Sequence, residues 1–173
     1  MHHPPLLNAP PPRAPGRYLL LRHRLARLLR ELDVRPDDSA DVLIAAVARR
    51  LDCTIDLDSH PFRVPGFFGG TICTDGGYLI FVQAHTNLEH QIHIAMHELA
   101  HILLGTTDSA AQAMFEGTHR TGDYTNGEER DAEFVARTIT TWVRADLDAR
   151  LPGQDDERSA AIARTLEDRI AWQ

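Results

Sequence analysis

The chain has 173 residues, 43% of them hydrophobic, with a formal net charge of −7; this suits one domain with a real core, expected over residues 17–173. No run approaches the ~18 apolar residues of a membrane span, and Tyr18-Leu19-Leu20-Leu21 is too short and too Arg-flanked for a signal-peptide core, so a cytoplasmic protein without a membrane partner is expected. Residues 13–50 carry nine Arg against five acids and the remainder nine against twenty, an acidic bulk that argues against direct nucleic-acid binding.

Residues 1–16 hold six of the ten prolines and read as a disordered Pro-rich arm; His2 and His3 lie too far along it to serve the site described below. From Arg17 onward, leucines at 21, 25, 28 and 32 keep helical spacing, and Pro36 is the expected stop. Asp38-Ser39 and Asp41 look like a cap for a second amphipathic helix ending near Leu51. Nothing marks either helix as a recognition helix, so both are read as scaffold. Thr54-Ile55-Asp56-Leu57 alternates as a short strand, and Pro61, Pro65 and Gly66 break it into a loop. Phe67–Thr74 and Tyr78–Gln83 flank Asp75-Gly76-Gly77, a hairpin signal because glycine accepts the backbone angles of tight turns. An exposed edge strand there could pair with an extended peptide. Cys53 and Cys73 show no paired spacing, so neither a disulfide framework nor a cysteine zinc knuckle is indicated.

A helix starting near Asn87 follows, with Ile92, Ala95, Met96, Leu99, Ile102 and Leu103 in one apolar stripe and Gly105 and Thr106-Thr107-Asp108 as its end. It carries His97-Glu98-Leu99-Ala100-His101. Side chains four apart project from nearly the same side of a helix, so His97 and His101 can grip one cation while Glu98 reaches water on it, the pattern of zinc-dependent peptide hydrolysis. A catalytic zinc normally takes three protein ligands. Glu128 and Glu129 open a further helical segment with Ala132, Ala136, Ile139 and Val143 toward the core, and periodicity does not choose between the two. Glu129 is preferred because Glu133, one turn on, can accept the other imidazole N–H of a ligand histidine, whereas Ala132 offers Glu128 no such follower. Gly105 and Asp108 arrive one residue late for a ligand pattern continuing the same motif, and His119 has no spacing logic. His90 and His93 are read as polar neighbours of the ligands, and His85 and Tyr124 as candidate hydrogen-bond donors to a transition state. Asp155–Ile170 reads as one more amphipathic helix.

The N-terminal helices, the Gly-Gly-Tyr-Leu-Ile-Phe-Val strand, Asn87–Gln91 leading into His-Glu-Leu-Ala-His-Ile-Leu-Leu-Gly, and Glu129-x-x-Ala132-x-x-Val135-Ala136 resemble the ImmA/IrrE family of metallopeptidases over residues 17 to 145. The resemblance implies an α+β fold, a small zincin-like domain with N-terminal helices, a short β-sheet and an HExxH helix followed by a third-ligand helix. It implies His97, His101 and Glu129 as metal ligands and Glu98 as general base. It also implies a regulatory endopeptidase that cleaves a helix-turn-helix repressor. Val135 stands where the family has Phe, and Thr138-Ile139-Thr140-Thr141-Trp142 departs from the family's sequence after that helix. Zinc is the expected cofactor, with manganese acceptable to the same donors. The alternative is a catalytically silent, metal-stabilised module that binds a DNA-binding or antitoxin-like partner without cutting it.

Overall fold

The computed structural model describes residues 3–11, 13–35, 38–63, 68–107 and 126–142. Among these, the elements follow in the order α1 (Arg17–Glu31), α2 (Ala40–Leu51), β1 (Thr54–His60), β2 (Gly69–Thr74), β3 (Gly77–Gln83), α3 (Leu88–Leu104) and α4 (Asn126–Thr140). This is a mixed α+β architecture, as expected. No helix among the described residues is long and apolar enough to cross a membrane.

The N-terminal helices form for the reasons their sequences give. Leu21, Leu25, Leu28 and Leu29 are the buried residues of α1, a stripe at helical spacing. The helix ends at Glu31, short of Pro36: Leu32 is its cap, and Asp33 takes φ 55°, a left-handed conformation that a short polar side chain tolerates. In α2, the Ser39 hydroxyl accepts the Val42 N–H at 3.4 Å, the cap that Asp38-Ser39 suggests.

The sheet has the order β1-β3-β2. β2 and β3 form the expected antiparallel hairpin, with Thr74 opposite Gly77. β1 reaches His60, beyond the alternating Thr54–Leu57 segment, because it pairs in parallel along the whole of β3, from Thr54 with Gly77 to His60 with Gln83. Every residue of the central strand β3 is buried. Gly77 is required where these strands start, since a Cβ on it would lie 1.9 Å from the Thr54 carbonyl oxygen.

The arm departs from expectation. Leu7 is a fully buried member of the core, and its N–H donates to the Leu103 carbonyl at 2.8 Å. The last carbonyls of a helix lack intrahelical donors, so a leucine that brings a free N–H to the end of α3 satisfies one and buries its side chain together. Residues 3–11 are therefore not the disordered arm that their proline content suggests.

Candidate metal centre

α3 is capped at both ends. The Asn87 side chain accepts the His90 N–H at 2.8 Å, and Gly105 adopts φ 68° at the other end. Between them, one turn apart, His97 and His101 bring their Nε2 atoms to 3.1 Å. The remaining wall is α4, whose Ala132, Val135, Ala136 and Ile139 are all fully buried. This packing sets Glu129 over the two rings, with Oε1 3.1 Å from His97 Nε2 and Oε2 3.6 Å from His101 Nε2.

His97, His101 and Glu129 are thus a group whose ligand atoms lie within 4.8 Å of one another. Bonds of about 2.0–2.1 Å in a tetrahedral set separate neighbouring ligand atoms by about 3.3 Å. The Nε2–Nε2 separation and that from His97 to Glu129 Oε1, both 3.1 Å, lie close to that spacing, and the other Glu129 oxygen lies 3.6 Å from His101 Nε2, so the group could hold a single small divalent ion. Their chemistry fits as well, with two imidazole nitrogens and one carboxylate. The facing His101 and His97 imidazoles hold the Glu129 carboxyl well below the usual carboxylate range against the opposing effect of burial, which makes it an anionic donor. Burial pulls the His97 imidazole down, but its hydrogen bond to Glu129 and the carboxylates of Glu98, Glu129 and Glu133 outweigh it, and the net direction is up.

Glu98 belongs to the same turn but not to the ligand group. It is buried, and its Oε2 accepts a hydrogen bond from the Thr71 hydroxyl of β2 at 2.9 Å. Burial pushes its carboxyl up, against the offsetting pull of the His101 and His97 imidazoles and of Thr71. A carboxylate whose proton affinity is raised in this way beside a cation site is suited to proton transfer. Gly69 of β2 lets α3 pack close beside it: a Cβ there would lie 2.3 Å from Ile94 Cγ2 and 2.8 Å from the Phe81 carbonyl oxygen.

The other expected residues fall as follows. Glu133 Oε2 lies 3.5 Å from His97 Nδ1 and 3.4 Å from His93 Nε2, within ion-pair reach of both. Glu128 is half-buried and not part of the ligand group. His90 bonds to Thr86 Oγ1 at 2.9 Å with its ring beside Phe68, and His85 is exposed beyond the end of β3. Asp108, His119, Tyr124 and Asp155–Ile170 lie outside the described residues.

Three contributors escape a reading by motif. Thr71 arrives from a strand distant in sequence. Thr106 sets its Oγ1 2.8 Å from His101 Nδ1, and a helix-ending Gly105 one residue before it is the available signal. Asp131, which looks like one of several acids at a helix start, is buried and paired with Arg17 of α1 through Nε and Nη2, tying α4 to the rest of the domain. Comparison with protein-family models, with curated proteins and with solved structures finds no match to this chain.

Proposed function

We propose that the chain is a zinc-dependent endopeptidase acting on a protein substrate, a helix-turn-helix regulator as its resemblance to ImmA/IrrE metallopeptidases implies. The observation that carries this is the convergence of His97 Nε2, His101 Nε2 and the Glu129 carboxylate within 4.8 Å, with Glu98 buried beside them.

In this reading His97, His101 and Glu129 hold the ion. When bound, zinc supplies Lewis acidity, which acidifies water and polarises a peptide carbonyl. Glu98 takes the proton of the attacking water on its carboxylate and passes it to the leaving amine as the C–N bond breaks. Thr71 holds the Glu98 Oε2 while this happens, and burial keeps competing water away from the carboxylate. β2 has a paired neighbour on one side only among the described residues, and in this reading an extended peptide adds along its other side. A peptide bound in that way would run along the strand that bears Thr71, next to Glu98.

The test uses the full chain, zinc-loaded, incubated with helix-turn-helix proteins from the same genome, with new amino termini read by mass spectrometry. One of these proteins is expected to be cut by the wild type. Glu98→Gln should keep its zinc and lose at least ~10²-fold in rate, the usual scale of a general base. Cleavage by Glu98→Gln at the wild-type rate overturns the role of Glu98. A partner retained intact in a stable complex with the zinc-loaded wild type overturns the protease reading in favour of a binding module.

A further inference from the structure

The end of α3 is a motif with a built-in contact. The Gly105 N–H donates to the Ile102 carbonyl at 3.2 Å and the Thr106 N–H to the His101 carbonyl at 2.9 Å. With Gly105 at φ 68°, this is the paired bonding of a Schellman cap. The cap folds the residue after the left-handed glycine back over the residue five positions earlier, a contact that is usually apolar. In this chain the two residues are Thr106 and His101, and the contact is polar: Thr106 Oγ1 lies 2.8 Å from His101 Nδ1. The same hydroxyl is 3.5 Å from the His101 carbonyl oxygen.

We infer that Thr106 is a positioning residue for the metal centre, fixing the His101 ring in the tautomer that presents a bare Nε2 to the ion. A hydroxyl both accepts and donates. His101 Nδ1–H donates to Thr106 Oγ1, and the hydroxyl turns its own proton toward the His101 carbonyl. A neutral imidazole with its proton on Nδ1 has its lone pair on Nε2, the atom that faces His97 Nε2 at 3.1 Å and Glu129 Oε2 at 3.6 Å. The opposite tautomer would aim an N–H into the donor set, where a cation belongs. His101 is almost fully buried, so water has little access to substitute for the hydroxyl. Ligand histidines are oriented by a partner on their other nitrogen as a rule. Glu133 stands at that place for His97, at 3.5 Å, and Thr106 does so for His101 from a turn that exists because residue 105 is glycine.

The inference rests on the metal-holding part of the proposed function and not on peptide hydrolysis. The test compares the full-length wild type with Thr106→Val, which keeps the shape and removes the hydroxyl, and Thr106→Ser, which keeps the hydroxyl. Two readouts are taken: zinc affinity by competition with a chromophoric chelator, and the imidazole tautomer of metal-free protein by long-range ¹H–¹⁵N correlation. Thr106→Val is expected to weaken zinc binding roughly 10–100-fold, the scale of lost ligand-orienting contacts, and to mix the His101 tautomers. Thr106→Ser is expected to restore both. Wild-type affinity and tautomer in Thr106→Val, or a Thr106→Ser protein as impaired as Thr106→Val, overturns the inference. A wild type that holds His101 in the Nδ1–H form yet binds no zinc overturns the metal reading alone, while the tautomers of the two variants still decide the role of Thr106.

Discussion

Two adjacent glutamates at the start of α4 have the same chemistry and differ by about 100° around the helix axis, and that rotation puts one inside the candidate ligand group and leaves the other outside it. Glu129 reaches both imidazoles, with oxygens at 3.1 and 3.6 Å, whereas Glu128 is outside the group. Glu129→Gln replaces an anionic donor with a neutral amide, so zinc affinity is expected to fall by at least ~10²-fold, beyond what orienting contacts contribute. Glu128→Gln should leave it within about threefold. Chelator competition on the two variants checks the pair, and an equal loss in both would reject the assignment of Glu129. The histidines and Glu98 needed no such choice, because a five-residue pattern on one helix fixes their relative positions before any tertiary contact forms.

At the scale of elements, the site is the meeting of α3, α4 and β2, and each is held by a feature with a measurable cost. The Arg17–Asp131 pair joins α1 to α4 with side chains 13% and 5% exposed. Removing one partner of such a pair strands a buried charge, so Asp131→Ala should destabilise the fold by about 3 kcal/mol in chemical denaturation. Asp131→Asn, which keeps the packing and part of the hydrogen bonding, should cost less. In the sheet, Gly77→Ala would force β1 from β3, given a Cβ 1.9 Å from the Thr54 oxygen, and a loss of at least ~2 kcal/mol is expected from such overpacking. A stability within about 0.5 kcal/mol of wild type would contradict that backbone approach. Helices and hairpin were legible here because their signals are local: leucine spacing in α1, Ser39 before α2, Asp75-Gly76-Gly77 between β2 and β3. The length of β1 was not, since its last residues are held by β3, whose own sequence lies some twenty positions on. The end of α1 misled because Pro36 is a strong stop, yet Asp33 had already turned the chain.

For the whole molecule, binding a metal to the folded state alone raises stability by mass action. At zinc concentrations of about 1,000 Kd the gain is about 4 kcal/mol, so the unfolding midpoint should rise with added zinc and return when a chelator removes it. The same titration on His97→Ala, expected flat, tests whether the gain comes from this site. The arm belongs to this scale too, since it joins residues 3–11 to the end of α3. Leu7→Ala should cost about 2–5 kcal/mol, as for other fully buried leucines, and a change under about 0.5 kcal/mol in thermal or denaturant unfolding would show that the arm is not part of the core.

The sequence by itself determined the helix that carries His97, Glu98 and His101, its cap at Gly105 and the relative placement of those three side chains, because all of these lie within one helical repeat where spacing is geometry. Periodicity left two adjacent acids near the buried edge of α4 as candidates for a third ligand, and only the position of Glu133 one turn on favoured Glu129. Only the tertiary structure decided that Glu129 closes the group, that Thr71 holds Glu98 from across 27 positions of chain, and that Leu7 leaves the arm for the core. Those are contacts between segments remote in sequence, and their distances follow from how the faces of separate elements pack, which no local pattern encodes.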